Sequence, residues 1–194
     1  MEIIGHRGAK GLAEENTIEA FKLAIKSNVD AIESDVRKAG KELVLSHDPT
    51  LITGTYTKLS ELLELIAGKV PLNLEIKEMR AIPLLKKQLK GYKGKVILSS
   101  FDFKILQSLR ESFPDYEIAV LEKWSGIRAV AEASLINTSR IHINQNWLWS
   151  NFVRSLNHKG YDLYAYTVNS VERAEELESW GVKGIFTDYP NRFK

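Results

Sequence analysis

Residues 30–36 read Asp30-Ala31-Ile32-Glu33-Ser34-Asp35-Val36, an apolar run interrupted by two carboxylates two positions apart. Side chains in a strand alternate faces, so Glu33 and Asp35 point one way and Ile32, Ser34 and Val36 the other. Like charges so close repel, and burying them is costly unless a cation or hydrogen-bond donors compensate. Carboxylate oxygens suit hard divalent ions such as magnesium, calcium or manganese. Two solvated carboxylates on an edge strand would read the same way, so the rest of the chain has to decide.

On the N-terminal side, Glu2 to Gly5 forms a short strand ended by His6-Arg7-Gly8. Asn16-Thr17 then offers an N-cap to a helical stripe of Ile18, Ala20, Phe21, Leu23, Ala24 and Ile25. On the other side, residues 42–48 follow too closely for a parallel crossover and should fold back as a hairpin. A Thr-rich loop covers 49–57, and a helix over 58–67 turns Leu59, Leu62, Leu63 and Ile66 inward. Strands are expected near 73, 97, 118, 142, 165 and 185, at the spacing of strand-helix units. Without the hairpin this makes eight strands alternating with helices. The expected fold is therefore an α/β (β/α)8 TIM barrel with a short β-hairpin excursion after strand 2. So few residues follow the last strand that its helix should be reduced or missing. A doubly wound open sheet is the rival architecture.

The 194 residues, 44% hydrophobic, suit a single barrel domain over 1–194. Lys and Arg total 27 against 25 Asp and Glu, a net charge of +2 that gives no reason to expect nucleic acid. The absence of cysteine excludes disulfides, thiolate metal sites and a cysteine nucleophile. The N-terminus carries no basic and apolar leader, and no apolar run reaches the roughly 20 residues that span a bilayer. The expectation is a soluble cytoplasmic protein without stable membrane insertion, of open oligomeric state. No phosphate loop, H-E-x-x-H, G-x-S-x-G or G-x-G-x-x-G motif is present, which speaks against nucleotide-driven chemistry, zinc proteolysis and serine hydrolysis.

Barrels of this kind build their active sites at the carboxyl ends of the strands. His6 and Arg7 end strand one, Glu33 and Asp35 lie late in strand two, and Glu75 and Lys77 end strand three. His47 and Asp48 end the hairpin. Three carboxylates can hold an oxygen-preferring divalent cation, and Arg7 and Lys77 can neutralise an anion, the arginine fork suiting phosphate. Two histidines can serve as acid and base near neutral pH. Together these types describe phosphodiester cleavage.

The blocks His6-Arg7-Gly8, Glu15-Asn16-Thr17, Glu33-Ser34-Asp35-Val36, Ser46-His47-Asp48 and Leu74-Glu75-Ile76-Lys77 resemble the glycerophosphodiester phosphodiesterase family. Ser100-Phe101, Thr167-Val168-Asn169 and Thr187-Asp188-Tyr189-Pro190 resemble its later blocks, in the same order. The resemblance implies a (β/α)8 barrel in which Glu33, Asp35 and Glu75 ligate one divalent cation: magnesium or calcium, with manganese as a further option. It implies His6 and His47 as the acid/base pair and Arg7 and Lys77 as phosphate contacts. The implied substrate is a small-molecule glycerophosphodiester, cleaved to glycerol 3-phosphate and an alcohol. The roles within the histidine pair, and water or the glycerol 2-hydroxyl as attacker, stay open. This chain has Glu14 where the family usually has proline, Tyr166 where tryptophan is common, and a trimmed insertion after the His-Asp block. The alternatives are a lysophospholipase-D-like enzyme on acylated substrates, a metal-dependent barrel lyase and a non-catalytic barrel binding protein.

Four further readings follow from position. His142, between Ile141 and Ile143, reads as structural, and His158 as a residue closing a helix before Gly160. Asp48 reads as an orienter of His47. Trp147 or Trp149 is a candidate wall for the leaving alcohol or, equally, packs under the next helix, whereas Trp124 and Trp180 read as helix packing.

Overall fold

The computed structural model of the chain describes residues 1–51 and 54–193. Its strands are β1 (Glu2–Gly5), β2 (Ala31–Ala39), β3 (Glu42–Leu45), β4 (Leu72–Ile76), β5 (Val96–Ser100), β6 (Glu117–Glu122), β7 (Arg140–Asn144), β8 (Asp162–Tyr166) and β9 (Gly184–Thr187). Its helices are α1 (Ile18–Lys26), α2 (Leu59–Ile66), α3 (Ile82–Leu89), α4 (Phe103–Ser112), α5 (Gly126–Leu135), α6 (Ser150–His158) and α7 (Val171–Trp180). After β9 the described residues add the single turn Pro190–Arg192.

All strands but β3 are parallel, and β1 pairs with both β9 and β2, so the sheet closes on itself. Ile4 lies opposite Ala31 and Gly5 opposite Ile32 at the seam. This is the (β/α)8 barrel, not an open doubly wound sheet. β3 runs antiparallel to the outer half of β2, with Val36 opposite Leu45 and Ala39 opposite Glu42. Gly40, at φ 57°, makes the tight turn between them, where a side chain would be strained. The expected excursion is thereby present. In the expected 49–57 loop, residues 52 and 53 lie outside the described residues.

The strands divide their residues by alternation. Ile32, Val36, Leu72, Leu74, Ile76 and Leu98 face outward into the layer packed against the helices. Ile4, Ala31, Tyr164 and Phe186 form a smaller cluster inside the barrel. The helices begin where side chains satisfy free backbone amides: Thr17, Ser125 and Ser170 each accept one at the start of α1, α5 and α7, and Asp102 accepts two at the start of α4. Leu59, Leu62, Leu63 and Ile66 of α2 are buried as expected. In α1 the buried stripe is narrower than expected: Ala20, Phe21 and Ala24 are buried, while Ile25 is 37% exposed. At 3.6 residues per turn, Ile25 lies roughly a quarter-turn from the stripe's centre. No described helix is long and apolar enough to cross a membrane.

Phe21 is fully buried between α1 and the barrel wall that carries the carboxylates. Phe21→Ala is expected to cost about 3–5 kcal/mol in unfolding free energy, read from urea denaturation midpoints at unchanged slope.

Candidate active site

A cavity of about 230 Å³ opens at the carboxyl ends of the strands. Six of the seven singled-out residues line it: His6, Arg7, Glu33, His47, Glu75 and Lys77. The seventh, Asp35, is fully buried behind them. β2 and β4 are neighbours in register, Asp35 opposite Glu75 and Glu33 opposite Asn73, so all three carboxylates meet on one inward face. Ligand atoms of Glu33, Asp35 and Glu75 lie within 4.8 Å of one another, and all three residues are buried.

Two cations hold this cluster in place. Arg7 Nε lies 3.1 Å from Asp35 Oδ2, and Arg7 Nη1 lies 2.8 Å from Glu15 Oε1. Arg7 has φ 51°, a left-handed turn that directs its backbone amide to Glu33 Oε2 at 2.8 Å. Lys77 Nζ sits 2.9 Å from Asp35 Oδ1 and also pairs with Glu75. Asn16 completes the shell, donating to Asp35 Oδ2 at 3.0 Å and accepting from Ser34 Oγ at 2.7 Å. Thus Ser34, on the opposite face from the carboxylates, still serves them through Asn16.

The electrostatics differ among the three. Burial would raise the Asp35 carboxyl, but Lys77 and Arg7 together hold it below the usual carboxylate range. Glu33 is pushed well above that range, first by burial and then by the charges of Asp35 and Glu75. Glu75 is also raised, by burial more than Asp35, with Lys77 opposing. A site that makes an ionised Glu33 costly and offers only oxygen ligands fits a hard divalent cation, whose charge would favour all three carboxylates.

The histidines stand at the rim in different settings. His6 Nδ1 lies 2.7 Å from Asp188 Oδ1, and Asn169 Nδ2 donates to Asp188 Oδ2 at 2.8 Å. His47 Nδ1 lies 2.9 Å from Asp48 Oδ1, and Arg37 donates to the His47 carbonyl at 2.8 Å. The expected Asp48 contact is therefore present, although Asp48 is 87% exposed. Burial, Arg7 and Lys77 lower His47 below the ordinary histidine value, opposed by Asp35 and Asp48.

Comparisons with known proteins show which family the chain is related to. The model of the glycerophosphoryl diester phosphodiesterase family matches residues 6–63 and 66–192. The chain belongs to that family. The Bacillus subtilis protein YhdW is 33% identical over 235 residues, covering 98% of this chain and 96% of its own. A glycerophosphodiester phosphodiesterase of Caldanaerobacter subterraneus is 28% identical over 97% of this chain and 94% of its own. Among solved structures, a phosphodiesterase of Oleispira antarctica in complex with its product sn-glycerol-3-phosphate superposes with a TM-score of 0.92. It covers 100% of this chain and 95% of that one at 24% identity, a likeness of fold. The Thermotoga maritima glycerophosphodiester phosphodiesterase gives a TM-score of 0.86 at 26% identity, over 100% of this chain and 96% of that one.

Several residues of this family member escaped sequence reasoning. Asp188 and Asn169 stand in the later family-like blocks, and Glu15 and Asn16 in an early one, yet none was placed at the site; Asn16, expected with Thr17 at an N-cap, instead bonds Asp35 and Ser34, while Thr17 caps α1. The available signal was position: Asp188 directly follows β9, as His6 follows β1. His142, read as structural, is fully buried, with its Nε2 accepting from Arg140 Nε at 3.0 Å, but it also lines the cavity. His158 closes α6 as expected. Trp180 packs against the core, but Trp124 is 65% exposed on the loop before α5 and meets Trp147 edge-on at 6.4 Å. The helix-packing expectation for Trp124 is thus corrected: the ring stands mostly in solvent, against another exposed ring. Trp149 stacks on Phe152 of α6 at 4.8 Å.

Burial, then Arg140, lowers His142 well below the ordinary histidine value. Unfolded, the same ring takes a proton near pH 6.5. The unfolded chain then binds more protons, so stability falls as pH drops through that value. His142→Gln should flatten the slope of unfolding free energy between about pH 6.5 and 5 by up to about 1.4 kcal/mol per pH unit, measured by urea denaturation at each pH.

Proposed function

We propose that this chain is a metal-dependent hydrolase of glycerophosphodiesters that releases glycerol 3-phosphate and an alcohol. The observation that carries the reading is the buried Glu33, Asp35 and Glu75 cluster, held between Arg7 and Lys77 and facing a cavity with two histidines at its rim. Glu33, Asp35 and Glu75 would hold one divalent cation, magnesium or calcium, with manganese as a further option. When bound, such a cation supplies charge stabilisation to a phosphoryl oxygen.

Arg7 and Lys77 bring positive charge to the cavity wall where a phosphate diester would sit, while their own carboxylate partners keep them from moving. His47, lowered below the ordinary histidine value, is neutral near pH 7 and so is the general base that takes a proton from the attacking hydroxyl. His6 is the general acid. Its Nδ1 faces Asp188, which orients the ring and leaves Nε2 to protonate the departing alcohol oxygen as the P–O bond breaks. Asn169, donating to Asp188, fixes that carboxylate's orientation.

A second reading is a lysophospholipase-D-like activity, favoured by the exposed Trp124, Ile127, Trp147 and Trp149 beside the mouth. Cleavage of micellar lysolipids faster than of their deacylated counterparts would select it. We place the enzyme in the cytoplasm, a reading supported by its cysteine-free sequence.

The direct test is release of glycerol 3-phosphate from glycerophosphodiesters by the purified protein. Chelation with EDTA should abolish release, and one of magnesium, calcium or manganese should restore it; full activity in EDTA would sink the metal role. His47→Ala should lower kcat by about 10²–10⁴ and remove the acid limb of the pH profile. In the wild type that limb should lie below the ordinary histidine value.

A further inference from the structure

The mouth of the barrel is divided. The carboxylates, their two cations and both histidines come from β1, β2, β4 and the β3 arm. The opposite wall, after β5, β6 and β8, presents Phe101, Lys123 and Tyr166 to the same cavity. Phe101 and Tyr166 meet edge-on at 5.9 Å, and the Tyr166 hydroxyl donates to the Glu122 carbonyl at 2.7 Å, tying β8 to the end of β6. The exposed Lys123 lays its ammonium 4.8 Å from the centre of the Phe101 ring.

Lys123 differs from the other two cations of this cavity in having no carboxylate. Arg7 is engaged by Asp35 and Glu15, and Lys77 by Asp35 and Glu75. The neighbouring Glu122 carboxylate is already bound by the backbone amides of Lys123 and Trp124, at 2.7 and 2.8 Å, and by Arg128. Those bonds hold the loop but leave the Lys123 ammonium, among the described residues, without an anionic partner at the cavity wall.

A diester whose phosphate lies against Arg7 and Lys77 must send one of its two arms towards the Phe101 side. Glycerol carries no charge, so an uncompensated ammonium there discriminates only if the other alcohol faces it. We propose that Lys123, on its Phe101–Tyr166 shelf, is a specificity-determining residue for that alcohol. It favours glycerophosphodiesters whose alcohol bears its own anionic group and disfavours those with a cationic amine. The inference rests on the proposed function and names its substrate class. The aromatic rings pack on the alcohol's carbon skeleton, and the ammonium meets its negative charge, an attraction that salt screens because the site is open to water.

The test compares kcat/KM for three substrates: glycerophosphocholine, glycerophosphoglycerol, and glycerophosphoglycerophosphoglycerol, whose alcohol carries a second phosphodiester. The wild type should prefer the third over the first. Lys123→Gln should reduce that preference ratio by about fivefold, and Lys123→Glu should reduce it further. In the wild type the ratio should also shrink as ionic strength rises from about 0.01 to about 0.5 M. Circular dichroism melts establish that the variants fold. An equal fall on all three substrates would make Lys123 a contact of the scissile phosphate and overturn the inference, as would an unchanged ratio. In either case the proposed hydrolysis would stand. A folded, metal-supplied wild type that cleaves none of the three would overturn the proposed function and this inference with it.

Discussion

Three carboxylates buried within 4.8 Å of one another are the constraint around which the upper half of this barrel is arranged. Burying unpaired charge of one sign is prohibitive, so the surrounding residues must supply the opposite sign or neutralise a group by protonation. The chain does both. Arg7 and Lys77 flank Asp35 and keep it ionised, while Glu33, which takes the weight of burial and of its two neighbours, is driven towards its protonated form. A divalent cation would replace that proton, so metal binding and the ionisation of Glu33 are one equilibrium viewed from two sides.

Much of the local backbone follows from this requirement. The left-handed turn at Arg7 aims an amide at Glu33, and Gly8 behind it, at φ 83°, lets α1 approach so closely that a Cβ would stand 2.7 Å from the Ala20 carbonyl carbon. Asn16, also in a left-handed conformation, is buried because its amide serves both Asp35 and Ser34. These residues lie between β1 and α1, and a loop there would ordinarily be exposed and variable in conformation. Here it is fastened by the charge cluster it supports.

The two histidines show how similar side chains meet different surroundings at one cavity. His6 is backed by a half-buried aspartate that is itself held by Asn169, whereas His47 relies on an exposed one and faces two cations across the cavity. The first setting fixes the orientation of the ring, and the second favours the neutral ring. The mouth is divided in a similar way: Arg7 and Lys77 are engaged by carboxylates on one side, whereas Lys123 on the opposite wall has no carboxylate partner among the described residues.

The strand count, the hairpin after β2 and the placement of Glu33, Asp35, Glu75, His6 and His47 at strand ends were legible in the chain alone. They rest on periodicity two in strands and on residue spacing, which are local properties of a sequence. The narrower stripe of α1 and the exposed Trp124 were not, because they depend on how far a helix or loop stands from the barrel. Nor were the partnerships that tune the site. His6 and Asp188 are separated by 182 residues, and Asn16 and Asp35 by 19. They meet only because β1 pairs with both β2 and β9, closing the sheet. Alternation decides which residues face inward. Closure decides which of them become neighbours, and with that which charges are compensated and which, like that of Lys123, find no anionic partner among the described residues.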